Sequence, residues 1–298
     1  MKNEQKLKVG GMLALILGTT MFLASCSKEE PFSGEALQTV NNDATVESQV
    51  NETEDMSSNA LTSADAPSGR AEASFTDDRF KCATFTFDSA ANRVSGKVTI
   101  DFGTGCTDPR GNTRKGKIIV SWSGGRWYKT GSVIVVNYSG YSINDVKFSD
   151  NDIRTVRNIS SVASPLTWTV EASHSLTWPD GSNATRTIHH TRQWIRSATI
   201  VDDKFIVSQT VGAANAASGT NRHNVGYSVQ ITTPLEYDRS CAIANKVFRP
   251  VKGVRVITYD TNKVVTIDFG DGTCDRAFTI SANGRTRTVS PKNDSSAD

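Results

Sequence analysis

No window of this 298-residue chain carries a convincing helical stripe of apolar side chains, and none is apolar for long enough to span a bilayer. The longest apolar run, Val9 to Leu23, is about 15 residues and is broken by Gly10, Gly11 and Gly18. A spanning helix needs roughly 20 residues. Lys and Arg nowhere cluster among aromatics, which argues against nucleic acid as a partner. The strand-turn-helix elbow of serine hydrolases, Gly-x-Ser-x-Gly, is missing. Asp101-Phe102-Gly103 and Asp268-Phe269-Gly270 spell the kinase metal-binding tripeptide, but no catalytic loop, glycine loop or strand lysine accompanies them. Nothing here is an enzyme signature, so a non-catalytic protein without a cofactor is expected.

What is present begins at the N-terminus. Lys2, Lys6 and Lys8 precede the apolar run, which closes on Leu23-Ala24-Ser25-Cys26. Basic, apolar, small, cysteine: this order resembles a bacterial lipoprotein signal with its lipobox. The resemblance implies that residues 1–25 are removed and that the new N-terminal Cys26 carries acyl chains such as palmitate, which hold the protein on a membrane at about 0.8 kcal/mol per buried CH₂. Ser27-Lys28-Glu29-Glu30 resembles the acidic export signal of Bacteroidota surface lipoproteins, which implies the cell-surface side of the outer membrane. Residues 26–75 are rich in Ser, Thr, Asn, Ala and Glu and nearly devoid of aromatics, so they read as a disordered tether. That tether carries a net charge of −8 and the signal +2; with +2 for the whole chain, +8 is left for residues 76–298.

From Phe75 onward the pattern is β. Val98, Ile100 and Phe102 alternate with polar residues, as do Val265, Ile267 and Phe269. The longest alternation runs through Leu166, Trp168, Val170, Ala172, His174, Leu176 and Trp178. Gly124-Gly125, Pro179-Asp180-Gly181-Ser182, Asp260-Thr261-Asn262 and Asn283-Gly284 punctuate these runs as turns. Short connections imply antiparallel neighbours. The expected fold is all-β: an antiparallel meander curled into a sandwich or an open barrel, one domain over 76–298. Val98-Thr-Ile-Asp-Phe-Gly-Thr-Gly-Cys106 recurs as Val265-Thr-Ile-Asp-Phe-Gly-Asp-Gly-Thr-Cys274, so two half-domains with a duplicated Cys-bearing hairpin also fit.

With Cys26 assigned to lipid, Cys82, Cys106, Cys241 and Cys274 remain, an even number in an oxidising compartment. Cys82 and Cys106 flank a candidate hairpin of 83–88 on 96–102 and fall roughly opposite each other, which favours that disulfide. Cys241–Cys274 follows by elimination. In a plain meander those two cysteines would sit at opposite ends, so this bond requires Ala242 to Pro250 to be a loop or bulge rather than a regular strand.

Taken together, Ile100-Asp-Phe-Gly-Thr-Gly-Cys106, Tyr141-Ser-Ile-Asn, Thr155-Val, Gly219-Thr-Asn, Ile231-Thr-Thr-Pro-Leu and Ile267-Asp-Phe-Gly-Asp-Gly-Thr-Cys-Asp275 resemble a family of uncharacterised Bacteroidota surface lipoproteins. The resemblance spans most of residues 80–290 and implies location without implying an activity.

Several residues are candidates for a site. Folding 166–178 back on 184–196 through a five-residue turn pairs Trp168 with Trp194 and sets His190 diagonal to His174, about 7–8 Å away, where two imidazoles can share a metal. No third ligand accompanies them. Trp168, Trp178 and Trp194 share that face, as core or as the wall of a cavity. Trp127-Tyr128, in a glycine-bounded tip beside Arg126 and Lys129, should leave at least one ring exposed for a glycan or protein contact. Asp268, Asp271 and Asp275 crowd one turn, either as calcium ligands or as Asx turns. Asp268-Phe-Gly-Asp-Gly also resembles the strand-end turn of PKD-type modules, without their downstream strand. The leading expectation is a membrane-anchored, non-catalytic binding or structural module that meets a glycan or an envelope protein. The first alternative is a carrier of a lipid or small hydrophobe in a cupped sheet, the second a glycan-acting enzyme.

Overall fold

A computed structural model describes residues 34–64, 77–89, 94–161, 165–245, 249–275 and 277–290. The expected lipidation site Cys26, the expected signal 1–25 and the ends of the expected tether, 26–33 and 65–75, lie outside the described residues.

The body is all-β, a single antiparallel sheet of sixteen strands. The first half comprises β1 (Thr84–Ser89), β2 (Gly96–Asp101), β3 (Cys106–Thr107), β4 (Thr113–Ser123), β5 (Val133–Ile143), β6 (Val146–Phe148), β7 (Ile153–Asn158) and β8 (Leu166–Thr177). The second comprises β9 (Asn183–Ile195), β10 (Lys204–Gln209), β11 (Ala217–Thr220), β12 (Gly226–Asp238), β13 (Lys252–Tyr259), β14 (Lys263–Asp271), β15 (Phe278–Ala282) and β16 (Arg285–Val289). The order is that of a meander. β6 and β7 share the lane between β5 and β8, and β10 and β11 share the lane between β9 and β12. The alternation read from sequence is the observed burial: Trp168, Val170, Ala172, His174 and Leu176 of β8 all point inward.

Among the described residues two α-helices accompany the strands, α1 (Gly34–Ala64) ahead of β1 and α2 (Arg239–Asn245) between β12 and β13. The first corrects an expectation. Residues 34–64 fall in the stretch read as a disordered tether, yet they form a helix buried on nearly every side from Val46 to Leu61. An apolar stripe was sought and not found because α1 buries carboxylates as well as Val40, Val46, Val50, Met56 and Leu61.

The sheet wraps around this helix. Glu47 and Glu52 are about 7.5 Å apart along the helix axis, yet Glu47 pairs with Arg255 of β13 and Glu52 with Arg114 of β4. Seven interstrand steps separate those strands, roughly 34 Å in a flat sheet at about 4.8 Å per step. A helix about 10 Å wide can touch both only if the sheet curls round it. Of the two architectures expected, the open barrel is therefore the closer description: one wrapped sheet with β1 and β16 as its outer strands.

Both expected disulfides are present, Cys82–Cys106 and Cys241–Cys274. Each closes a unit of the same kind, cysteine, hairpin, cysteine, around β1–β2 and around β13–β14. In both, the Asp of Asp-Phe-Gly accepts a hydrogen bond from the glycine N–H two residues on, at 2.8 Å for Asp101 and 2.9 Å for Asp268. Gly103 and Gly270 take φ of 61° and 85°, the left-handed conformation that favours glycine. The required detour after Cys241 is a helix: α2 carries the cysteine, and β13 starts only at Lys252. Replacing Cys241 and Cys274 by alanine should cost about 3–4 kcal/mol, from the chain entropy regained by an unfolded loop with a separation of 33 residues. Urea unfolding of the double variant measures this, and a loss below about 1 kcal/mol would show that the packing of α2 holds the ends together without the bond.

Candidate binding site

Strand alternation puts arginines on the inner face in phase with apolar residues. Arg154 stands with Val156 in β7, Arg186 with Ala184 and Ile188 in β9, and Arg255 with Ile257 and Tyr259 in β13. Arg114 heads the inner row of β4, ahead of Ile118, Val120 and Trp122. Arg79, in a short 3-10 turn, Asp78–Phe80, is buried beside them. A guanidinium in such a place is costly unless paired, and α1 supplies the partners.

Asp43 pairs with Arg186 and, at 3.0 Å, with Arg255. Glu47 pairs with Arg255, lies 3.8 Å from Arg186 and accepts from the Tyr237 hydroxyl at 2.9 Å. Glu52 pairs with Arg114, whose other nitrogen reaches Asp108 at 2.6 Å. Thr53 shares a 2.9 Å hydrogen bond with the Tyr138 hydroxyl. Glu54 pairs with Arg192 and is 3.6 Å from Arg154; Asp55 pairs with Arg79 and is 3.9 Å from Arg239. Burial alone would raise the carboxyls of Glu47, Glu54 and Asp55, but the guanidiniums outweigh it. Arg255 and Arg186 lower Glu47, Arg79 and Arg239 lower Asp55, and Arg192 and Arg154 hold Glu54 at about 2. All three stay ionised at neutral pH.

The helix does not fill the barrel completely. One cleft of about 570 Å³, mouth included, lies between α1 and a wall containing Trp127, Trp168, Trp194 and Phe205. Trp127 stacks on Trp194 at 5.4 Å and on Trp168 at 6.4 Å, and Trp194 lies tilted 5.7 Å from Phe205. The Arg192 guanidinium lies 3.6 Å over the Phe205 ring. A neighbouring cleft of about 560 Å³ shares Glu54, Arg192, Phe205 and Arg239 and adds His190 and Tyr237.

The structure treats the sequence candidates unequally. Trp168 and Trp194 join in one cluster, but Trp178 stands apart under Arg222, 4.7 Å from its ring. Trp127 and Tyr128 were expected to leave a ring exposed; both are half-buried, because Trp127 folds in to stack on Trp168 and Trp194. Arg126 donates to the Tyr128 hydroxyl at 3.2 Å.

The expected His174–His190 juxtaposition does not form. The β8–β9 turn is Pro179-Asp180-Gly181, with Gly181 at φ 84° and Trp178 and Ser182 bonded across it. Such a type I turn closed by a left-handed glycine needs three loop residues, not five. The ladder is therefore two residues out: His174 faces Arg186 and His190 faces Val170. An even slip keeps every inward residue inward, so the face was right and the pairing was not. His174 is buried, with Nδ1 3.7 Å from Asp152 and its pKa lowered by desolvation. His190 lines the second cleft, and burial pushes its pKa down to about 4.

Asp268, Asp271 and Asp275 each accept from a backbone N–H two residues on, at 2.9, 3.0 and 3.0 Å. They act as three Asx turns in succession. Among the described residues, the one grouping with metal-ligand spacing is Asp238, Cys241 and Cys274, and its sulfurs are those of the second disulfide.

The arginine face and its helix were missed. A signal existed in the in-phase arginines of the strands and in Asp43, Glu47 and Glu54, which recur at helical spacing. Among the described residues no helix is long and apolar enough to cross a membrane. Compared with known proteins, the chain matches no family model, no curated protein and no solved structure.

Proposed function

We propose that this is an envelope lipoprotein, anchored through acylated Cys26 to the outer membrane with its body at the cell surface, and that the body is a non-catalytic binding module. One observation carries the binding reading: the wrapped sheet presents guanidiniums and aromatic rings inward, and an acidic segment of the same chain already occupies that interior. A surface so built recognises anionic groups. Glycoside cleavage needs a carboxylic acid that keeps its proton near neutral pH, whereas Glu47, Glu54 and Asp55 are held ionised by arginine. That favours binding over hydrolysis. The tryptophan-walled cleft favours the carrier as the second reading. The anchor is tested by fractionating cells that express Cys26→Ser. The variant should leave the membrane fraction, and the wild-type N-terminal peptide should carry acyl mass on Cys26. A variant that stays with the membrane would overturn the lipoprotein reading.

A further inference from the structure

The tryptophan-walled cleft has donors without acceptors. Trp168 is 5% exposed and Arg154 2% exposed, and both line it. Among the described residues, no hydrogen-bond acceptor meets the Trp168 indole Nε1, the Trp127 Nε1, or the Nε and Nη1 of Arg154. The one carboxylate of the cleft, Glu54, pairs with Arg192 and stays 3.6 Å from Arg154. Three guanidiniums line the cleft, those of Arg154, Arg192 and Arg239. Buried polar groups are nearly always satisfied, and leaving one without a partner costs about 1–3 kcal/mol. These unmet groups are all donors, so what they lack is an acceptor and, beside surplus guanidinium, an anionic one. On the sheet side the rest of the wall is apolar and aromatic, Ile134, Val156, Trp194 and Phe205; on the helix side Ser57, Ser58 and Thr62 line it, with the Ser57 and Thr62 hydroxyls donating to carbonyls of their own helix.

We propose that this cleft binds an amphipathic anion. Its carboxylate or phosphate head takes the N–H groups of Arg154, Trp168 and Trp127, and its apolar body lies along Trp194 and Phe205. This rests on the binding-module reading and names the ligand class for it.

The test titrates the mature chain carrying Cys26→Ser, which keeps α1 and needs no detergent, with decanoate, decyl phosphate and decanol, followed by tryptophan fluorescence and calorimetry. Decanoate or decyl phosphate should bind saturably and at least about 10-fold more tightly than decanol, as a charge-assisted hydrogen bond implies. The tighter of the two anions identifies the head group. Arg154→Met should remove that advantage. Trp168→Phe keeps the ring and deletes the N–H, so it should weaken the anion several-fold and leave decanol unchanged; it also serves if Arg154→Met does not fold. Equal binding of all three probes, no binding, or anion affinity that survives Trp168→Phe would each overturn the proposal. None of these outcomes touches the anchor, which is tested separately by fractionation.

Discussion

Removing the residues up to 75, α1 among them, should abolish cooperative folding of the β-body, although every described strand is retained. Without α1, Arg79, Arg114, Arg186, Arg192 and Arg255 lose the carboxylates of Asp55, Glu52, Asp43, Glu54 and Glu47. Removing one partner of a buried ion pair costs about 3–5 kcal/mol, because the other charge stays behind uncompensated. Several such losses together exceed the 5–15 kcal/mol typical of a domain's whole stability. The apolar contacts of Val46, Val50, Met56 and Leu61 go too. Circular dichroism and urea unfolding should show a sigmoidal transition for residues 27–298 and none for 76–298. A peptide of residues 34–64 added in trans should restore it. An exposed pair provides the control: breaking Lys115–Asp145, with side chains 44% and 66% exposed, should leave the urea midpoint almost unchanged. If 76–298 unfolds at the same urea concentration as the longer chain, the helix is an ornament on a self-sufficient sheet and the account of the interior fails.

This expectation also marks where the sequence could be read and where it could not. Strand alternation depends on a period of two, and one buried face writes it plainly, so β2, β8 and β14 were legible with their inward residues. The disulfides were legible because four cysteines and two hairpins leave few pairings. Register was harder. It depends on loop length, and Pro179-Asp180-Gly181 specifies a three-residue loop that spacing alone did not reveal. The helix was hidden by the criterion applied to it. Burial was judged by apolar content, but α1 buries carboxylates on more than one side, each against an arginine of the sheet, so composition assigned it to solvent. Only the two halves together, inward arginines at apolar positions and acids at helical spacing, identify each other. They lie more than 140 residues apart in Asp43–Arg186. The tip at Trp127 failed for a related reason: strand alternation was taken to put one of two neighbouring rings outside, but the tip is a turn, and the partners that draw Trp127 inward, Trp168 and Trp194, come from other strands.

Acid should unfold this protein in two stages. The first involves the histidines. His190 is held neutral at about pKa 4, chiefly by burial, with Arg192 and Arg186 adding to the shift and Glu54 and Glu47 opposing it. His174 is lowered in the same sense, by burial first, with Asp152 opposing. An unfolded chain protonates its histidines near 6.5 while the native one does not, so stability declines as pH falls from about 6.5 toward 4. The second stage involves Glu47, Glu54 and Asp55, whose native carboxyls are depressed. Their contribution is fully present above the ordinary carboxyl range and is lost as pH falls through the depressed native values. For Glu54 that window runs from 4.5 down to about 2 and corresponds to about 3 kcal/mol. The urea midpoint should therefore fall gently below pH 6.5 and steeply below about pH 4.5, with high salt changing little because buried pairs are weakly screened. Glu54→Gln should lower the midpoint at pH 7 and flatten the steep limb, and His190→Leu should flatten only the gentle one. A midpoint that holds steady from pH 7 to pH 3 in the wild-type chain would mean that the carboxylates of α1 do not hold the guanidiniums of the sheet, and that the barrel is closed by its apolar contacts alone.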